Sequence, residues 1–515
     1  MSQHRQRRTL HARMATRRAA TPQATRRPAW GTEVAQAMPQ PLPLALAVAS
    51  ALGLSQSALA ADNTITLMQK GGSNVTGTAV LVNGNRTNIT TTTISGNAAF
   101  NAFSRFDVAA GNTVNLVVPG AVNTLVNLVA NPISVYGTLN SVRNGTIGGH
   151  LVFASPDGML VGAGGVINTG RLSVFTPNRA DFDALADRLG SDAGDALTAQ
   201  MLQGGIGRSP TGYIRVQGQI NALEGVTLDA GADVNVEGGA VIRAGSDARL
   251  APTLQAAVNA TGSGLTAPAL VQKAGGEIEI VAEGAVTIAA SAQVSAAQRL
   301  DAVSDSEAAQ GAGRGGSVSL AGRSVRIEGT VDVSGQRGGG SVTVGRADAA
   351  RLAGPSEFEL AKLADDTFDE SLEEVEVSTL AADGTYTGPT TPYDTAEAAD
   401  VVTRSTTLGS TGEVLADALS QGDGGQVRYV SEASQPPQAG EGTAIRGRTS
   451  ARGAGAGGRG GQVDYEGLNA TGLSASAQTD LSPGAGGTFG TMTLGAFNIR
   501  IIEGAASTSV GCLTT

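Results

Sequence analysis

From residue 62 onward the chain seldom runs more than about six to ten residues without a turn-forming Gly, Asn, Asp or Pro, and it keeps this spacing for hundreds of residues. The runs between turns, such as "NTVNLVVPG", "NTLVNLVA", "GVTLDAG", "DVNVEGGAVIRAG" and "GSVSLAGRSVRIEGTVDVSG", are rich in β-branched residues. They are too short for helices. Several alternate strictly: Ile278, Ile280 and Ala282 fall on one side, Glu277, Glu279 and Val281 on the other, as in a strand with one buried face. A sandwich, a barrel or a β-solenoid would satisfy this spacing.

Three features select the solenoid. The pattern far outlasts a single sandwich of about 100 residues. Asn-Gly and Asp-Gly hairpin turns are not spaced regularly between the strands. A Gly-Gly pair followed by an alternating strand recurs at Gly275–Gly276, Gly315–Gly316, Gly339–Gly340, Gly424–Gly425 and Gly460–Gly461, like a corner reused by successive coils. Composition agrees. With 72 glycines, 3% aromatics and 16% charged residues, the chain is too apolar for disorder and too poor in large side chains for several globular cores. The expected fold is all-β, a right-handed parallel β-helix with short helical and loop excursions. At about 22 residues per coil it would have roughly 16 coils and a length of about 75 Å.

The N-terminus reads differently. Eight of the 35 Lys and Arg fall in the first 27 residues, and "PLPLALAVASALGLSQSALA" follows over 41–60. A charged lead, a short apolar run and small residues Ala58 and Ala60 predict an extended signal peptide over 1–60, cut so that the mature chain begins at Ala61. A buried N-terminal helix is the competing reading. Without residues 1–60 the balance is 27 basic against 44 acidic residues, a net charge of −17. Such a body repels phosphate backbones, so no nucleic-acid partner is expected. The lone cysteine, Cys512, leaves an exported chain without disulfides, which suits threading through a narrow pore.

Two segments break the rhythm. Over 178–205, Phe182, Leu185, Ala186 and Leu189 have helical spacing and Gly190 can end the helix. Over 348–423 an acidic stretch carries a capping box, Ser356 with Glu359, ahead of Thr-, Asp- and Pro-rich sequence read as loop. The expected organisation is therefore a signal peptide (1–60), an N-terminal domain (61–177), a helical excursion (178–205), β-helix (206–347), an acidic helix and loop excursion (348–423) and resumed β-helix (424–515). The C-terminal "FNIRIIEGAASTSVGCLTT" stops just after a strand, which suggests a short exported protein or the front piece of a longer one.

The block 88–177 carries a resemblance. Its "NITTTTISGNAAFNAFSRFDVAAGNTVNLVVP", "NTLVNLV" and "GTLNSVRNGTIGGHLVFASPDGMLVGAGGVINTGRLSVFTP" are similar to the secretion domain of two-partner-secretion exoproteins of the filamentous-haemagglutinin class, leukotoxin-type filamentous adhesins among them. In that class an Asn-Pro-Asn-Gly-Ile turn sits in a "(F/V)xxNPNGIxFGxGxxxN" context. Here Ser155-Pro156-Asp157-Gly158 occupies the turn, followed by Gly162 and Asn168, while Phe103, Phe106 and Asp107 of "FSRFDV" fit a "(F/Y)xxFxV" segment. An earlier Asn-Pro-Asn-Leu motif of the class has no clean match. The resemblance implies a capped β-helix that addresses the protein to a partner outer-membrane barrel. Export would pass through the periplasm after signal cleavage, leaving a secreted or surface-exposed adhesin that meets a host-cell or matrix receptor or a glycan.

Catalytic chemistry is sparse. His150 is the only histidine after the signal, which excludes histidine triads and two-histidine metal sites; a polar corner residue is its plainer reading. No nucleophile elbow occurs, "GGRGGQVDY" is a single imperfect likeness to a calcium-binding roll, and the acids from Asp365 to Glu376 lack the glycine of an EF-hand loop. No catalytic residue, metal or cofactor is expected, and the chain is read as not an enzyme. The alternatives are a β-helical polysaccharide lyase or hydrolase, which needs only two or three carboxylates on a groove, and the N-terminal piece of a larger exported toxin.

Overall fold

The computed structural model describes residues 62–260, 275–300, 311–347, 401–432, 434, 438, 440–467 and 471–495. Ala58, Ala60 and Ala61 of the signal junction, the acidic stretch after Ser356 and Cys512 lie outside the described residues.

Short strands wind into a parallel β-helix with three faces. The end of Ala98–Val108 begins the first face, and Ile133–Val135, Gly158–Val161, Tyr213–Val216, Val234–Val236, Ala285–Ile288, Ser324–Ile327, Ser405–Leu408, Gly442–Ile445 and Thr471–Leu473 follow in parallel register. The second face runs from Thr113–Val118 to Gln478–Asp480, the third from the start of Ala98–Val108 to Thr491–Gly495. Alternation explains the closure: one side chain in two points inward, and Phe106, Ile133, Met159, Ile214, Val234, Val286 and Val325 form one continuous buried stack. Each such residue gains about 1.5–3 kcal/mol by leaving water.

Among the described residues nine pairings join ten layers on the first face, against the roughly 16 coils expected for the whole mature chain. At about 4.8 Å per layer the described stack is roughly 45 Å long. Ile214 and Val234 are paired neighbours, so a bare coil spans 20 residues, close to the 22 or so expected. The excess came from counting corner insertions as coil. The Gly-Gly pairs do mark a reused corner, between the second and third faces. A Cβ added to Gly316, Gly340, Gly425 or Gly461 would lie 1.8–2.0 Å from the carbonyl oxygen of the glycine one layer before, so the column admits no side chain.

Antiparallel strands cover the N-terminal end. Thr64–Leu67 pairs with Ala98–Val108, placing Ile65 opposite Phe106, and the hairpin of Thr78–Asn83 with Arg86–Thr91 lays its second strand along Thr113–Val118.

The excursion at 178–205 consists of α1 (Arg179–Arg188) and α2 (Asp192–Leu202), capped by Asn178 and Ser191. It packs back onto the outer side of the third face, where Phe182, Leu185 and Met201 join Phe100, Val126, Val152 and Ala154 in a second core. The non-alternating runs "LVNLV", broken only by Asn127, and "LVFA" are the matching signal, since a strand buried on both sides has no reason to alternate. The pair enters and leaves through a neck: Asn178 N donates to Gly207 O (2.8 Å) and Ser209 N to Thr176 O (2.7 Å).

Two expectations need correction. The excursion read over 348–423 does not reach 423, because Ser405–Leu408 and Glu413–Leu415 are ordinary strands of the helix. The Thr-rich sequence misled because threonine replaces aliphatic residues inside the later layers. Thr406 is fully buried and its hydroxyl donates to Val430 O at 2.8 Å. Nearby, Tyr429 and Tyr465 stack at 5.2 Å with hydroxyls bonded to Thr449 and Thr479. The stretch 206–347, read as β-helix throughout, also carries α3 (Ser246–Arg249) and α4 (Pro252–Ala260). There Ala251 and Leu254 pack with Ile147 and Leu223. Deleting 405–415 should therefore abolish cooperative unfolding of the secreted chain, measured by urea titration, because it removes a strand from each of two faces.

Candidate functional site

Ser155-Pro156-Asp157-Gly158 turns the chain from the third face to the first, between His150–Ala154 and Gly158–Val161. Gly158 N donates to Ser155 O at 3.1 Å, closing a four-residue turn. Gly158 has φ 92°, and a Cβ there would lie 1.8 Å from Tyr213 O of the next layer. Both the dihedral and the stacking demand glycine. Ser155 is buried; its Oγ donates to Asn131 O (2.9 Å) and its N to Phe175 O (3.1 Å). Asn131 Nδ2 in turn donates to Ser104 O at 2.6 Å, so a polar thread links three successive corners. The Asp157 carboxylate faces Arg179 of α1 at 3.7 Å, a half-exposed pair worth under about 1 kcal/mol that joins the corner to the helix pair.

The other sequence-derived residues scatter. Phe103 and Phe106 are interior, with ring centroids 5.1 Å apart, and Phe106 meets Phe153 edge-on at 5.5 Å. They build the core beneath the cap. Asp107 points outward and pairs with Arg105. Gly162 is buried under the Tyr136 ring. Asn168 lies on the second face, away from the corner.

Asn168 belongs to a device the sequence reading did not assemble. Each Nδ2 of Asn115, Asn140, Asn168 and Asn221 donates to the Oδ1 of the asparagine one layer before, starting at Asn88, over 2.9–3.0 Å. Such stacked amides satisfy one another while buried. The signal was present as Gly-x-aliphatic-Asn at Gly137–Asn140, Gly165–Asn168 and Gly218–Asn221.

His150 sits partly buried with Nε2 2.8 Å from Ser173 Oγ. Burial, and secondarily the Arg171 charge, lower its pKa from 6.5 to about 4. Between those values the unfolded chain takes up a proton that the folded chain refuses, so stability falls as pH drops from 6.5 toward 4 and is unaffected above. The expected loss is up to about 3 kcal/mol. Urea titrations at pH 7.5 and 5 should show it in the secreted chain and show it reduced in His150→Gln.

The adjacent acids Asp181 and Asp183 form no carboxylate pair. Asp181 accepts from Asn178 Nδ2 (2.8 Å) and Gly207 N (2.9 Å) and so holds the neck, while Asp183 is exposed. Among the described residues no helix is long and apolar enough to cross a membrane.

Residues 65–331 match the family described as the TPS secretion domain, more than half of the chain. The match starts in the antiparallel cap and continues past Pro177, where the resemblance read from sequence stopped, into the seventh layer. Among solved structures the chain is similar to the crystal structure of the HMW1 secretion domain from Haemophilus influenzae, at 13% identity and a TM-score of 0.34, over 81% of this chain and 99% of that one. A search of curated proteins finds no match.

Proposed function

Because the chain belongs to the TPS secretion domain family, we propose that it is a filamentous adhesin whose β-helix carries attachment surfaces away from the cell. Membership makes it a two-partner-secretion exoprotein, passed through the Gram-negative envelope by a partner outer-membrane transporter. The attachment role goes further, and one observation carries it. The helix that begins in the matched segment continues in the same parallel register to residue 495, well beyond 331. A secretion domain continuous with further coils is built to be exported and then to hold something out from the surface. On this reading Ser155–Gly158 and Phe103–Asp107 shape the segment the transporter recognises, the receptor is a host-cell or matrix component or a glycan, and the chain itself catalyses nothing.

The test expresses the chain with and without its transporter in a non-adherent host. Adherence to epithelial cells or matrix should appear only when the chain reaches the surface. Adherence unchanged by loss of the exported chain would sink the adhesin role. Processing is checked on the same material: intact mass should correspond to a chain beginning at Ala61, without the eight N-terminal arginines. A secreted product retaining Arg26 would contradict cleavage after Ala60.

A further inference from the structure

We propose that the outer side of the first face, between Tyr136 and Tyr213, is a binding site for a neutral polysaccharide. The inference deepens the attachment reading by giving it a ligand class. Aromatic residues are scarce in this chain, and most of those among the described residues are buried. Tyr136 and Tyr213 are 45% and 41% exposed, and both sit on this face two layers apart. Tyr136 is not merely a loose surface side chain. A Cβ on Gly162 would lie 2.2 and 2.4 Å from its Cδ1 and Cε1, so the ring occupies the space that a side chain in the next layer would fill, with nearly half of the residue open to water.

A polar strip runs beside Tyr213, along its own layer and the next one away from Tyr136. Arg215 forms an ion pair and hydrogen bond with Glu237, and Gln217 Nε2 donates to the other Glu237 oxygen at 2.9 Å. Glu237, first through its hydrogen bond and then through its charge, raises the Arg215 pKa. Tyr213, Arg215 and Gln217 alternate outward along one strand direction. Four residues along a strand and two layers across is roughly 16 Å, the reach of several linked rings rather than one. Pyranose rings present C–H faces that lie on aromatic rings, and hydroxyls that exchange bonds with guanidinium, amide and carboxylate groups.

Charge decides the class. Arg215 and Glu237 cancel, and the body carries a net charge of −17 (27 basic, 44 acidic after residue 60), so a polyanionic glycan would be repelled.

The probe is affinity electrophoresis of the secreted full-length mature chain in gels containing dextran, galactan, mannan or xylan, with heparin as the acidic arm. At least one neutral polymer should retard it. Tyr136→Ala and Tyr213→Ala should each weaken retardation about tenfold, the Phe variants should retain it, and heparin should have no effect. Circular dichroism checks that each variant is folded. No retardation by any neutral polymer, or equal retardation of the Ala variants, overturns the site. So does retardation by heparin alone. Extracellular yield separates this from the transporter's requirements: the Ala variants should be exported normally, and impaired export with unchanged retardation would assign the tyrosines to the transporter instead. Loss of the polysaccharide site with cell adherence intact would leave the adhesin reading standing.

Discussion

Replacing Gly158 with Val should collapse secretion while leaving signal cleavage untouched. A β-branched residue at φ 92° is strained by roughly 1–2 kcal/mol before packing is considered. Its Cβ would then lie 1.8 Å from Tyr213 O, a backbone atom of the next layer that cannot swing aside. The corner must open, the Ser155 thread through Asn131 loosens, and the layers on either side lose register. Gly425→Val is the matched control, because its Cβ would meet Gly340 O at 2.0 Å with a comparable steric penalty far from the N-terminal segment. If residues 88–177 address the chain to its transporter, extracellular protein should fall much further for Gly158→Val than for Gly425→Val, with processed protein held in the periplasm. Quantifying both compartments beside wild type decides it. Equal export of the two variants would reduce the corner to one turn among many.

Asn168→Ala should destabilise the secreted chain by about 2–4 kcal/mol. The side chain is fully buried and both accepts and donates: its Nδ2 serves Asn140 Oδ1, and its Oδ1 receives Asn221 Nδ2. Removing it strands an acceptor and weakens a donor, which retains only Thr253 Oγ1. The partly buried end of the same ladder should be more tolerant. Asn88→Ala breaks one ladder bond, where Asn168→Ala breaks two at a fully buried position, and should cost about 1 kcal/mol. Urea midpoints of the three secreted proteins supply the comparison. A smaller loss for Asn168→Ala than for Asn88→Ala would show that burial does not set the ladder's contribution.

Some features were legible in the sequence for a simple reason: they are enforced locally, layer by layer. The Gly-Gly pairs announced their corner because no other residue fits beneath a carbonyl oxygen 2 Å away, and "SPDG" announced its turn because a positive φ selects glycine. Phe182 and Leu185 announced a helix through their spacing. What stayed hidden depends on what stacks on what. Asn115, Asn140, Asn168 and Asn221 are separated by irregular intervals because α1 and α2 interrupt the count, so the ladder exists only after folding has aligned the layers. Thr406 and Thr443 look like loop residues until their inward hydroxyls are matched with Val430 O and Ser431 Oγ. The exposure of Tyr136 and Tyr213 could not be read at all, since tyrosine is equally at home inside, as Tyr429 and Tyr465 show.

The antiparallel strands over the N-terminal end also give the molecule a direction of growth. A parallel ladder offers unpaired N–H and C=O groups at both ends, and either could receive a further strand. Here Thr64–Leu67, running against Ala98–Val108, closes one of them, so layers accumulate only away from the cap. For a chain delivered through its transporter, the segment that emerges and folds behaves as a pawl. A net gain of about 2 kcal/mol per layer makes return of that layer roughly thirtyfold less populated than its retention. Several such layers would make retreat through the pore negligible. Translocation of an unfolded chain would then draw its directionality from the folding of what has already crossed.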